Sequence, residues 1–386
     1  MRHNLPRTKD KRPARRVRRV MTGVLMMVAV GASFLTPGRQ VEAAETPGSG
    51  RQGRVVMYVF DEAGLSLRDE HAPLVDQLNY SFALLENGEA VGSHWRQIRQ
   101  VESYLRRHPH IDGVLSVGGW GAEGFSDACA TAEGRQRLAD SILRLMDAHG
   151  FVGVDIDWEY PGSSVAGIRS RPEDVENWYA LLTLLRKGLD ARQAAAGRPY
   201  YLSVALGGGE AQLSSVDGAL LDALVDQAVL MAYDLSGFDK TTGHHAGLYP
   251  GEDRPGSGAH MVRALADSGL SRNKMLLGFP AYGRVWRQVT GGGDGLHQRA
   301  ATSGNKTLSF PELQALEKQG YTAYYDEAAC AAWWFNGVNF VSGESGESIA
   351  AKAGWLREKG LQGAAVWCWN QDGGCEMAAM LDAAMR

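Results

Sequence analysis

Two periods alternate along this chain. Short apolar runs with β-branched and aromatic residues recur at 54–60, 78–84, 112–118, 152–159, 200–206, 228–233, 274–279 and 362–367. Between them lie stretches whose apolar positions repeat at helical spacing, at 94–107, 133–148, 173–192, 216–226, 256–268 and 346–359. Strand-like and helix-like segments taking turns predict an α/β fold with a parallel sheet. Eight such strands predict a closed (β/α)8 barrel rather than an open sheet, and they direct attention to residues at the strands' C-terminal ends. The alternation breaks at 286–340, which carries a Gly291-Gly292-Gly293 turn, a helix-like 310–318 and an aromatic-rich 320–340. That stretch is expected to be an α+β insertion in a barrel built from 54–285 and 341–386.

The fourth strand is unlike the others. In FVGVDIDWEYPG, Asp155, Asp157 and Glu159 alternate with Val154, Ile156 and Trp158. Side chains of a strand point alternately to its two faces, so the three carboxyls line one face and the apolar residues the other. Like charges roughly 7 Å apart repel, each raising the pKa of the next. Such a stack keeps one acid protonated near neutral pH, ready to act as a general acid. Tyr160-Pro161-Gly162 ends the strand and leaves Glu159 at its lip.

Other strand ends carry polar and aromatic residues. Strand one offers Tyr58, and strand two offers Asn79, Tyr80 and Phe82, with Tyr80 and Phe82 on one face by alternation. Strand three ends in Ser116-Val117-Gly118-Gly119-Trp120, where glycines let the backbone pass close to a buried polar cluster. Strand six ends in Met231-Ala232-Tyr233-Asp234, strand seven leads into Pro280-Ala281-Tyr282-Gly283-Arg284, and strand eight ends in Val366-Trp367.

The N-terminus changes the charge picture. A basic region up to Arg19, an apolar run from Val20 to Leu35 and the small-residue site Val41-Glu42-Ala43 predict a secretory signal over 1–43. A Gly-rich linker follows at 44–53. Residues 1–43 hold ten Lys/Arg and two Asp/Glu, so with −4 on the whole chain the remainder carries −12. A mature chain this acidic argues against nucleic acid or an anionic membrane as partner and not against a neutral polysaccharide. The expectation is an extracellular or periplasmic monomer without stable membrane association after signal removal. Cys129, Cys330, Cys368 and Cys375 permit disulfides in an exported chain, with all three pairings open. No cysteine–histidine spacing resembles a metal site, and no cofactor is expected.

Asp155, Asp157 and Glu159 together resemble the DxxDxDxE signature of the family 18 glycoside hydrolases, the chitinase family. The SxGG, MxYD and PxYGR patterns at Ser116, Met231 and Pro280, and the strand-eight Trp367, are similar to that family's as well. The resemblance implies a TIM barrel, chitin or chitooligosaccharides as substrate, and hydrolysis assisted by the substrate's own N-acetyl group. It implies Glu159 as proton donor, with Asp157, Asp155 and Tyr233 completing the catalytic set. Tyr58, Tyr80, Ser116, Gly119, Trp120, Tyr160, Met231, Asp234, Arg284 and Trp367 are then expected to bind substrate. Two other activities use the same barrel: an endo-β-N-acetylglucosaminidase on glycoprotein glycans and a chitin-binding lectin. The insertion is expected to wall the cleft. The chain departs from the signature at its first acid, where Val152 stands; one charge missing from the stack predicts a shifted pH profile. After the strand-six motif the loop carries Phe238 where the family often has tryptophan.

Overall fold

The computed structural model describes residues 50–250 and 256–386; the signal read at 1–43 and the first part of the linker lie outside the described residues. Fourteen strands are present: β1 (Arg54–Phe60), β2 (Gln77–Glu86), β3 (Glu89–Val91), β4 (Asp112–Gly118), β5 (Gly153–Asp157), β6 (Tyr201–Gly207), β7 (Gln227–Met231), β8 (Met275–Pro280), β9 (Tyr282–Trp286), β10 (Lys306–Ser309), β11 (Thr322–Asp326), β12 (Ala331–Phe335), β13 (Phe340–Gly343) and β14 (Gly363–Trp367). Eight of them form a ring of parallel neighbours in the order β1-β14-β8-β7-β6-β5-β4-β2, closed by the β1–β2 pair. The short β3 only folds back on β2. This is the (β/α)8 barrel that the alternating periods predict.

Helices over 98–107, 132–148, 174–196, 218–224, 258–267 and 346–358 intervene between the ring strands. Several start where a short polar side chain takes up a free N–H of the first turn: Thr131 accepts from Gly134, Asp217 from Leu220, Ser257 from His260 and Ser345 from Ser348. The helix 174–196 stops at Gly197, whose φ of 66° suits a left-handed cap.

The barrel divides the core in two. Outward-facing residues such as Val154, Ile156 and Trp158 join the large apolar layer against the helices, while Val56, Val229, Leu276 and Ala365 make a small plug inside the ring. The rest of the lumen is polar and hydrogen-bonded, as buried polar groups must be. Gln77 and Gln227 exchange amide hydrogen bonds of 2.9 Å, and Gln77 also donates to Asn79 Oδ1 at 2.7 Å. That lumen is the floor on which the acids stand.

Two residues after β8 ends, the chain enters a second, five-stranded antiparallel sheet of order β10-β9-β13-β12-β11. The sheet begins at Tyr282 and ends at Gly343, so it takes in Arg284 and reaches a few residues beyond 286–340 on each side. Trp286, Trp333, Phe335 and Phe340 form its own apolar cluster. At the other end of the linker, Arg51 is buried and binds Asp76 at 2.6 Å and Asp382 at 3.0 Å, tying both ends of the described chain together. All four cysteines are free thiols.

Candidate active site

Strand register decides which side chains meet in the lumen. Ser116 on β4 and Ser203 on β6 are both direct neighbours of Asp155 on β5. Ser203 Oγ donates to Asp155 Oδ1 at 2.5 Å; Ser116 Oγ and the Tyr58 hydroxyl donate to Oδ2 at 2.7 and 3.0 Å. Asp155 is fully buried, which raises its pKa, and these three donors pull it back down. One step up the strand, Asp157 lies between the carboxyls of Asp155 and Glu159, with the Tyr58 and Tyr233 phenols nearby. Burial first, then Glu159 and Asp155, push its pKa well above the usual range, and its Oδ1 has no hydrogen-bond partner among the described residues. A buried acceptor without a partner is a place for a donor to arrive.

β5 ends at Asp157, so Glu159 projects from the exit of the strand, at the barrel mouth. Its side chain is buried, and burial raises its pKa to about 7; the Tyr160 hydroxyl lowers it and the Asp234 charge raises it. The exit path needs the two glycines at the end of β4. A Cβ on Gly118 (φ 117°) would lie 2.2 Å from the Asp157 carbonyl oxygen, and one on Gly119 (φ 95°) 2.6 Å from the Phe82 ring. Gly119 N–H instead donates to that same carbonyl at 2.9 Å, fixing the backbone beneath Glu159.

Above the acids lies a cleft of about 620 Å³. Asp157, Glu159, Tyr160, Met231, Tyr233 and Asp234 line it, with Arg284 and Trp367. Trp367 forms the apolar floor, its ring stacked on Phe82 at 5.5 Å and 23°. Trp120 and Phe238 stand on the rim with 58% and 64% of their surface exposed. Flat rings left open at a cleft mouth suit the apolar faces of sugar rings. Tyr233 is kept neutral by burial and by surrounding acids, so its hydroxyl remains a donor. Asp234, in the left-handed region at φ 58°, accepts from Tyr282 at 2.8 Å and from Arg284 Nε at 2.5 Å. Burial raises its pKa, but His245 and Arg284 outweigh that and hold it ionised. The cleft therefore contains one acid that titrates near neutrality beside one that stays charged.

One expected residue is elsewhere. Tyr80 is fully buried against Trp95 and Phe151, outside the ring, and does not line the cleft. The β2–β4 register slips between Tyr80 and Ala83, so strict alternation fails there and Phe82, not Tyr80, turns inward. Val152 also stands differently from its reading. Val152 is buried just before β5 begins at Gly153, with its N–H donating to the Gly113 carbonyl and its carbonyl accepting from Tyr201 N; counted by parity along the strand it falls with Val154 and Ile156 rather than with the acids. From the sheet inserted after β8, only Tyr282 and Arg284 on β9 line the cleft among the described residues; 286–340 does not. Ser203 and His245 are site residues that strand-end reading passed over, whereas Phe82 and Tyr282 were read at their strand ends but not assigned to the site. Tyr282 lay inside the PxYGR pattern, whereas Ser203 and His245 carry no sequence signal of their own. Among the described residues no three His, Cys, Asp or Glu side chains gather as a metal site, and no helix is long and apolar enough to cross a membrane.

The profile of the glycosyl hydrolases family 18 matches residues 54–372. Chitinase A1 of Niallia circulans is 34% identical over 304 residues, which is 72% of this chain and 43% of that protein. Chitotriosidase-1 of Mus musculus is 30% identical over 331 residues, covering 79% of this chain and 68% of the relative. The chain thus spans less than half the length of the first of these. A family 18 N-acetylglucosaminidase from Paenibacillus barengoltzii superposes with a TM-score of 0.82 at 31% identity, over 86% of this chain and 99% of that structure. A profile match running from the first barrel strand past the last places this chain in glycosyl hydrolase family 18.

Proposed function

We propose that this protein is an exported chitinase that hydrolyses β-1,4 bonds between N-acetylglucosamine units with retention of configuration. Glu159 protonates the glycosidic oxygen, and the acetamide oxygen of the sugar over Trp367 attacks the anomeric carbon. The product of that step is an oxazolinium ion, which water opens with Glu159 now acting as base. Asp157, with its unpartnered Oδ1, accepts the acetamide N–H and so orients the nucleophile. Tyr233 donates to the acetamide oxygen, and Asp155, immobilised by three donors, adds to the burial and the Glu159 charge that favour a proton on Asp157. The observation that carries this reading is a buried glutamic acid titrating near 7 with no second carboxylate placed as a nucleophile of its own. Asp157 is hemmed in, its pKa pushed up by burial and by the neighbouring Glu159 and Asp155, and Asp234 is engaged by Tyr282 and Arg284.

The reading is tested with chitohexaose and its fully deacetylated counterpart, products resolved by mass spectrometry. Cleavage of the acetylated chain alone is expected; comparable rates on both would overturn the substrate-assisted mechanism. The likeness to the Paenibacillus barengoltzii enzyme favours a second reading, release of single N-acetylglucosamine units. A product ladder dominated by monomer from the earliest times would select it over internal cleavage.

Two further results are expected. The donor must carry its proton, so kcat should be level in mild acid and fall as pH rises through about 7, the pKa of Glu159. A rate that climbs through that range would remove Glu159 from the role. Val152→Asp should leave this profile in place, because the new carboxyl faces the helix layer rather than the acid stack. A displaced alkaline limb in that variant would show that position 152 communicates with the acids.

A further inference from the structure

Asp234 has two oxygens with different surroundings. The Tyr282 hydroxyl and Arg284 Nε both bind Oδ1, and His245 Nδ1 lies 3.4 Å from that same atom. Oδ2 receives none of these, and the side chain keeps 30% of its surface open. His245 itself is fully buried, yet neither of its ring nitrogens has a hydrogen-bond partner among the described residues. Buried imidazoles are ordinarily satisfied, so an orphan beside a cleft carboxylate calls for a reason.

The backbone of His245 is held on both sides. Its N–H donates to Ser342 Oγ at 3.1 Å on β13, and its carbonyl accepts from Leu235 N at 3.0 Å, one residue beyond Asp234. The ring lies against Tyr282 with centroids 5.4 Å apart. His245 thus joins the inserted sheet to the loop that carries Asp234, with its ring poised just outside hydrogen-bond range. Resting on the assignment of this cleft to N-acetylglucosamine chains, we propose that His245 is a positioning residue. Its Nδ1–H closes onto Oδ1 of Asp234 when a sugar engages Oδ2, completing three donors on one oxygen and aiming the other into the cleft. Nδ1 lies 3.4 Å from Oδ1, and Nε2 has no hydrogen-bond partner among the described residues.

Three variants test this. In Asn, the side-chain amide nitrogen falls near the position of Nδ1; in Gln, it falls near Nε2; Leu has no donor. Steady-state kinetics on chitotetraose, with melting temperatures, are measured for His245→Asn, His245→Gln and His245→Leu beside the wild type. The loss of a hydrogen bond to a charged group predicts a fall in kcat/KM of about 10- to 100-fold for His245→Leu. His245→Asn should recover to within about fivefold of wild type while His245→Gln stays near His245→Leu, because only a donor at the Nδ1 place reaches Oδ1. Equal rates for Asn and Gln, or a Leu variant within threefold of wild type, overturn the proposal. Should Leu fail to fold, the Asn–Gln contrast decides alone. A wild type inert toward chitotetraose would sink the function assignment, and this inference with it; an active wild type without the Asn–Gln contrast would sink the inference only.

Discussion

Glu159→Gln is expected to lower kcat on chitooligosaccharides by about 10²–10⁴-fold, the range a positioned general acid contributes. Gln fills the same space but has no proton of suitable acidity to give to the leaving oxygen. The rest of the cleft, from the Trp367 floor to the Arg284–Asp234 pair, is untouched, so oligosaccharide affinity should survive. Isothermal titration with chitotetraose and single-turnover assays separate the two effects; near-parent turnover would remove Glu159 from the mechanism. The same variant should also change stability with pH, and the sign is set by the direction of the shift. The folded protein raises the Glu159 pKa from 4.5 to about 7 because burial disfavours the charged form. Stability attached to the protonated form is fully present below 4.5 and is lost as pH rises through 7. At pH 8 the wild type therefore holds a buried charge costing on the order of 3 kcal/mol, and the glutamine variant does not. Glu159→Gln should melt higher than wild type at pH 8 and close to it at pH 4.

Tyr233→Phe is expected to cost about 10²–10³-fold in kcat, as the loss of a preorganised donor at a developing charge does elsewhere. The phenol is packed nearly at right angles to Tyr282 at 6.3 Å and surrounded by Asp157, Glu159 and Asp234, which hold it neutral. A neutral hydroxyl fixed by packing donates without reorganising, and the phenylalanine ring keeps the packing. Most of the loss should fall on kcat rather than KM, since the acetamide oxygen gains charge only as it attacks. A change confined to KM would show that Tyr233 binds the ground state and no more. A thiazoline mimic of the oxazolinium ion gives an independent measure: its affinity should fall in Tyr233→Phe in parallel with kcat.

The chain itself determined a good deal. Eight apolar runs separated by helical periods dictated the barrel, because periods of 2 and 3.6 are local properties that each segment carries alone. The stack of Asp155, Asp157 and Glu159 was legible for the same reason, since alternation along one strand needs no partner. What depended on neighbours in space was not legible. Tyr80 and Phe82 share a parity in sequence, yet a register slip against β4 sends one to the outer core and the other to the cleft. Ser203 reaches Asp155 only because β6 lies beside β5 with those two residues in register, and nothing in the run YYLSVAL announces it. His245 meets Asp234 through a loop and an inserted sheet that sequence order places at 282–343. Parity along a strand is written in the residues, whereas register between strands and the seating of loops are settled by packing across the whole barrel, where side chains far apart in sequence compete for the same space.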